Sequence, residues 1–248
     1  GVGCGRLGEF GAMTAAAEVP EAALLQALSL GVKALGLNVT EAQQRQLLSY
    51  MALIQKWNKV YNLTALKTPQ EILTHHLLDS LSSISPLFRY LAQGAKGVDQ
   101  EIELLDVGSG GGLPGVVIAI CCPSIRVTCV DTVSKKAAFV QQVAASLKLS
   151  NLRGLHARVE SLKGPFDVVC SRAFASLPDF VNWSVGALSE QGVWMAMKGK
   201  LPEAEMAALP SFAEVFHVEQ LQVPGLAADR CMVWMKKSIT LSTEASAT

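Results

Sequence analysis

Apolar residues recur at three- and four-residue spacing through the first third of the chain. Leu24, Leu25 and Leu28 form one such row, and Leu47, Leu48, Met51 and Ile54 form another, the rhythm of helices that bury one face. Thr40 with Gln43 three residues later has the form of a capping box, so a helix is expected to open there. The helical pattern runs from Val19 to about Ser85, breaks between Asn62 and Pro69, and resumes near Gln70. Trp57 and Tyr61 lie four residues apart and are expected on the core face of their helix.

Beyond a loop at Gly94 to Asp99 the rhythm shortens. Short apolar runs predict strands at Glu103 to Val107, Arg126 to Val130, Leu152 to His156, Asp167 to Ser171, Val193 to Met197, Glu214 to Val223 and Arg230 to Met235. Helical stretches at Pro114 to Cys122, Ser134 to Leu147 and Pro178 to Leu188 separate the earlier ones. Alternating strands and helices imply an α/β fold with a mainly parallel sheet, covered on both faces, whose ligands bind at the carboxyl ends of the strands. The short link from Pro224 to Asp229 predicts an antiparallel hairpin at one edge. The expected organisation is a helical extension over residues 13–98 and a sheet domain over 99–237. Residues 1–12, which precede Met13 and lack periodicity, read as a cloning remnant, and 238–248 as a flexible polar tail.

Composition narrows the function classes. The chain has 248 residues, half of them apolar, enough for one substantial core. Lys plus Arg and Asp plus Glu both number 21, so no whole-protein field steers the chain to nucleic acid or to an anionic membrane, and any RNA-binding surface must be local. Lys56, Lys59, Lys67, His75 and His76, with Lys135, Lys136, Arg172, Lys198 and Lys200 near the strand ends, are the candidates for such a rim. The six cysteines include no C-x-x-C pair, and several lie in apolar runs where a reduced thiol packs as a small hydrophobe. A reducing, cytoplasmic setting without a metal site is expected. No apolar run approaches the ~18 to 20 residues of a membrane span.

The stretch LLDVGSGGGLPG, Leu104 to Gly115, carries the chemistry. Its Gly110 to Gly115 segment fits the dinucleotide fingerprint G-x-G-x-x-G, a weak match by itself. If the strand ends at Val107, Gly108 is the first turn glycine and Leu113 takes the third-glycine position. Asp106 just before the turn would repel a diphosphate and suits a ligand with a cationic amino-acid portion. Asp131 ends the next strand, where this architecture places an acid on ribose hydroxyls; a helix-capping role is the competing reading. Ala157 to Glu160 follow the third strand and could border an adenine. Ser171 to Pro178 follow the fourth, with Arg172 needing a partner for its guanidinium and Phe174 expected in the core.

Five blocks of the sequence together resemble the family of ribosomal RNA small-subunit methyltransferase G, also called glucose-inhibited division protein B. They are KWNKVYNLT at Lys56 to Thr64, HHLLDSL at His75 to Leu81, the Asp106 to Gly115 loop, SRAFASL at Ser171 to Leu177 and MKGKLPEAE at Met197 to Glu205. The resemblance covers roughly Leu24 to Lys237. It implies a class I S-adenosylmethionine-dependent methyltransferase, Rossmann-like, with a seven-stranded mostly parallel sheet, an antiparallel edge and an N-terminal helical extension. The implied reaction is methyl transfer to N7 of a guanosine in the decoding-region loop of 16S rRNA, in the small ribosomal subunit; the protein is expected to be a monomer. Carried onto this chain, the family's cofactor contacts fall on Gly108, Leu113, Asp131, Val159, Glu160 and Arg172; the reading of the loop adds Asp106 and Gly110, and Lys135, Lys136, Lys198 and Lys200 are the candidates for RNA.

Guanine N7 has a lone pair and no proton, so the nucleophile needs no general base and alignment can carry the reaction. Arg172 is accordingly expected to position rather than to exchange protons. A thiolate route through Cys170 is the rival mechanism, and burial of that thiol would count against it. An NAD-dependent oxidoreductase and a non-catalytic RNA- or ribosome-assembly-binding protein are the alternatives.

Overall fold

A computed structural model describes residues 18–94, 96 and 100–239. The expectations for residues 1–12 and for most of the tail fall outside them. Helix α1, Glu21–Ala34, is followed by α2, Glu41–Tyr61. The α2 capping box is complete: Thr40 Oγ1 accepts from the Gln43 N–H at 3.1 Å and Gln43 Oε1 accepts from the Thr40 N–H at 3.0 Å. Asn62 ends the helix at φ 49°, the left-handed conformation that asparagine tolerates better than most residues.

A second capping box, Thr68 with Glu71, opens α3, Pro69–Ile72. The chain then widens into a π-helix over Leu73–Leu78 before α4, Asp79–Leu81, and α5, Ile84–Ala92. The apolar spacing of this region announced a helix but not its widened turn. Such turns cluster at functional sites because they re-aim side chains.

The sheet comprises β1 Ile102–Val107, β2 Ile125–Asp131, β3 Leu152–His156, β4 Phe166–Arg172, β5 Leu188–Lys198, β6 Ala213–Gln220 and β7 Cys231–Lys237. Their order is β3-β2-β1-β4-β5-β7-β6. β1, β2, β3, β4 and β5 pair in parallel, while β7 runs antiparallel to both β5 and β6. The expected mostly parallel, seven-stranded sheet with an antiparallel edge is thus present. Helix α6, Gly115–Cys121, follows β1 and α7, Ser134–Ser146, follows β2; α8, Leu177–Ser184, and the short α9, Glu203–Ala207, flank β5.

Strand alternation divides the core in two. Leu104, Val127, Cys170, Met195 and Trp234 face one side with Leu47, Met51, Leu77, Val116 and Phe139; Leu105, Val130, Val169, Trp194 and Val233 face the other with Phe180 and Val181. The helical extension therefore packs on the same face as α6 and α7, and it shares their core.

Three expectations need correction. The helix expected to reach Leu188 ends at Ser184, and β5 already begins at Leu188. Polar Ser189, Glu190 and Gln191 hide the start of this strand, and the register shifts there: Phe166 pairs with Leu188 but Val168 with Val193, so an irregular bulge in β5 takes up the extra residues. β6 ends at Gln220 rather than Val223. α9 escaped notice because none of its five residues is buried, so it has no apolar rhythm.

Candidate functional site

Parallel register brings the chemistry to one level. Asp106 lies beside both Cys129 and Cys170, so one residue beyond the strand ends Gly108 stands level with Asp131 on one side and Arg172 on the other. The Gly108 N–H donates to the Val130 carbonyl at 2.9 Å, which carries the β1–β2 ladder one residue past the end of β1. Gly108 and Gly110 adopt φ of 62° and 56°, open to glycine at little cost. A Cβ on Gly110 would meet nothing within 4 Å, whereas one on Gly108 would stand 2.0 Å from the Phe174 ring. The loop thus leaves bare backbone for a ligand to approach.

Two buried carboxyl groups shape this loop differently. Asp131 Oδ2 accepts from the Gly110 N–H at 3.0 Å and Oδ1 from the Val133 N–H at 2.9 Å. It therefore holds the glycine loop and the short turn that leads to α7, while each oxygen keeps a lone pair for a hydroxyl. The N-cap position of α7 is Val133 and no side chain caps it, so the capping reading of Asp131 does not hold, while its geometry leaves room for a ribose. Asp106 is fully buried beneath the loop, where Oδ2 accepts from the Gly115 N–H at 2.7 Å and Oδ1 has no hydrogen-bond partner. Burial pushes its carboxyl up to about 8. Asp106 lines neither cavity described below, and the structure shows it anchoring the start of α6.

The larger cavity, about 630 Å³, opens on one side of Gly108 between Asp131, Lys136, Val159, Glu160, Phe174 and Trp183. Its volume suits a small organic ligand. Val159 is buried and opens a 3₁₀ turn over Val159–Ser161, which leaves Glu160 exposed at the rim. Phe174, expected in the core, is only partly buried; it packs edge-on against Trp183 at 5.8 Å and forms part of the wall. Ala173 before it sits at φ 50°, a turn that swings the aromatic back over Gly108.

The smaller cavity, about 140 Å³, lies on the other side of Gly108 and is lined by Thr64, His76, Gly108 to Gly111, Leu113 and Arg172. Arg172 finds its partners in the helical extension: NH1 donates to the His75 carbonyl at 2.8 Å and to Asp79 Oδ2 at 3.0 Å, and NH2 donates to His76 Nδ1 at 2.9 Å. Arg230, on the approach to β7, grips the same carboxylate from Nε to Oδ1 at 2.7 Å and from NH2 to Oδ2 at 2.8 Å. Burial and the neighbouring Arg172 push His76 down to about 4, so the ring is neutral at ordinary pH. The π-helix places the His75 carbonyl, the His76 ring and, at its end, Asp79 toward one guanidinium.

Sequence reasoning missed Asp79, Arg230, Trp183, Thr64 and Tyr50. An aspartate inside the apolar run HHLLDSL was the available signal for Asp79, since a buried carboxylate needs a cation. Tyr50, whose hydroxyl donates to the Gly111 carbonyl, gave no signal of its own in the sequence.

The basic candidates divide. Lys136 borders the larger cavity, Lys135 sits 5.1 Å from the Tyr61 ring centroid, and Lys56, Lys59, Lys67 and Lys200 are exposed. Lys198 instead donates to the Ala175 carbonyl at 2.7 Å and to Glu205 Oε1 at 3.0 Å, so its charge is taken up internally. Tyr61 is 42 % exposed, against the expectation of a core position, while Trp57 does pack edge-on against Phe139 at 5.3 Å.

Comparison with known proteins agrees with this architecture. TrmN from Thermus thermophilus superimposes with a TM-score of 0.50 at 16% identity, covering 67% of this chain and 53% of that one, a likeness of fold. The ribosomal RNA small subunit methyltransferase G of Paracidovorax citrulli is 62% identical over 229 residues, 90% of this chain and 93% of that protein. The protein of the same name from Polaromonas sp. is 64% identical over 211 residues, covering 85% and 92%. The sequence pattern of the GidB family, rRNA small subunit methyltransferase G, matches residues 43–233. With the glycine turn, the strand-end acid and the arginine all inside that span, the chain belongs to the rRNA small subunit methyltransferase G family.

Proposed function

We infer that this chain transfers a methyl group from S-adenosylmethionine to N7 of a guanosine in 16S rRNA. The observation that carries the reading is the pair of cavities meeting at Gly108, at the carboxyl ends of the parallel strands. The bare backbone at Gly110 and the free lone pairs of Asp131 fit a nucleoside with an amino-acid end. In this reading Asp131 receives the ribose hydroxyls, Val159 and Glu160 border the adenine, and Gly108, Gly110 and Leu113 line the passage to the methionyl end. Asp106 supports that passage from below.

When bound, S-adenosylmethionine supplies a methyl group already activated on a sulfonium. The protein is left with orientation and exclusion of water. Arg172, fixed by Asp79 and His76, presents a rigid cationic wall at the smaller cavity. No acid or base is required of it, because N7 accepts the methyl through a lone pair that carries no proton. Lys135, Lys136 and Lys200 provide local positive charge for phosphates on a chain of zero net charge. In this reading the protein works as a single copy, in a reducing cytoplasmic setting to which the five free cysteines among the described residues are suited.

The decisive experiment incubates the protein with radiolabelled S-adenosylmethionine and small-subunit RNA or particles from cells lacking the enzyme, then maps the label. Label at guanine N7 is expected. Label at cytosine C5, or no transfer, overturns the reading; cofactor binding without transfer favours an assembly-binding protein, and NAD binding that survives S-adenosylhomocysteine favours an oxidoreductase.

The Cys170 thiol is fully buried, lines neither cavity, and is pushed far above the ordinary thiol range by burial. Cys170→Ser is therefore expected to keep methyl transfer within about threefold of the parent, since an inert thiol contributes packing alone. A folded Cys170→Ser protein without activity would restore the thiolate route.

A further inference from the structure

The hydrogen-bond directions around the smaller cavity leave one proton unassigned. A guanidinium only donates, so His76 Nδ1, 2.9 Å from Arg172 NH2, must accept. The ring proton then lies on Nε2 and is donated to Thr64 Oγ1 at 2.8 Å. The Leu66 N–H donates to the same oxygen at 3.2 Å. Both lone pairs of the Thr64 hydroxyl are thereby filled, and its own proton meets no acceptor among the described residues. Thr64 lines the cavity, whose volume of about 140 Å³ exceeds the space of a single water several-fold.

The charges point the same way. Asp79 is one carboxylate set against two guanidinium groups, which leaves a net positive charge behind this wall. A cavity with a free hydroxyl proton and a positive wall selects an acceptor oxygen.

We propose that Thr64 is a ligand-binding residue of this cavity whose hydroxyl donates to an acceptor oxygen of a bound reactant, and that His76 is a positioning residue that aims it. The proposal rests on the methyltransferase reading above. Two sources offer that oxygen: the carboxylate of the cofactor's amino-acid end and O6 of the target guanine. Arg172 fixes the tautomer of His76, His76 fills the lone pair of Thr64, and the hydroxyl proton turns inward. The Asn62 to Thr68 link between α2 and α3, otherwise only a connector, then carries a recognition element.

Two double-mutant cycles test this. Thr64→Val removes the hydroxyl while keeping the shape, and Thr64→Ser keeps the hydroxyl. The first cycle compares S-adenosylhomocysteine with its decarboxylated analogue by calorimetry. The second compares substrate RNA carrying guanine at the target with RNA carrying 2-aminopurine, which lacks O6, by kcat/KM. In one cycle Thr64→Val is expected to lose about tenfold on the complete reactant and nothing further on the truncated one, the scale of a single hydrogen bond to a charged or carbonyl oxygen. Thr64→Ser should stay within about twofold.

His76→Gln should show the same selective loss, with no addition in the double variant. If Thr64→Val does not fold, Thr64→Ala enters the same cycles. Additive losses in both cycles, or no loss in a folded variant, overturn the proposal. Failure of the wild-type protein to label rRNA would instead strike the parent reading, and the calorimetric cycle would still judge Thr64.

Discussion

Replacing Asp131 by alanine is expected to weaken S-adenosylhomocysteine binding by about 100-fold, because charge-assisted hydrogen bonds contribute about 1.5–3 kcal/mol each and 100-fold is about 2.7 kcal/mol. The carboxylate holds the Gly110 and Val133 N–H groups at 3.0 and 2.9 Å, so its loss frees the glycine loop and the entry to α7 together. In the proposed function it also removes the acceptor for the ribose hydroxyls. Asparagine should recover only part of the affinity, since its amide must turn a donor toward one of the two N–H groups. Calorimetric titration, with the melting temperature measured alongside, checks this; a folded Asp131→Ala protein that binds within threefold of the parent would remove Asp131 from the cofactor site.

Asp79→Asn is expected to produce the largest loss of stability. The aspartate is 2 % exposed and holds Arg172 and Arg230 together. Removing one member of a buried charge cluster costs about 3–5 kcal/mol, and two guanidinium groups would then face each other without a counter-charge. For a chain of this size that corresponds to a fall of roughly 6–20 °C in melting temperature. Because Arg172 would lose its anchor as well, kcat should fall even at temperatures where the variant is folded. Scanning calorimetry and initial rates test the two effects separately. A variant that melts within about 2 °C of the parent would mean that solvent already screens the cluster.

The contrast between these two carboxylates explains what the sequence made legible. Asp131 stood at the end of an apolar run whose period and flanking helix were both readable, so its level in the sheet followed from strand alternation alone. Asp79 lies in a helical segment whose widened turn leaves no trace in apolar spacing, and its partners are 93 and 151 residues away. The parallel sheet, its antiparallel edge and the glycine turn were readable because each depends on a local pattern. The β5 bulge was hidden by exposed polar residues within a paired strand, and the burial of Asp106 by the assumption that an acid next to a turn faces the ligand. Arg172 was recognised as needing a partner, but only the packing of the helical extension on the sheet identifies it.

That packing has a consequence for the order in which the protein can be completed during synthesis. β7 is the last strand of the sheet in chain order, yet it lies between β5 and β6 rather than at the margin. Until it emerges, β5 presents an open hydrogen-bonding edge, and Arg230, which immediately precedes it, is not there to grip Asp79 from its second side. The helical extension and the parallel strands leave the ribosome first, but the charge cluster that fixes the wall of the smaller cavity closes only with the insertion of the final strand. A nascent chain therefore acquires its site in the same step that seals its sheet, and a truncated one lacks both.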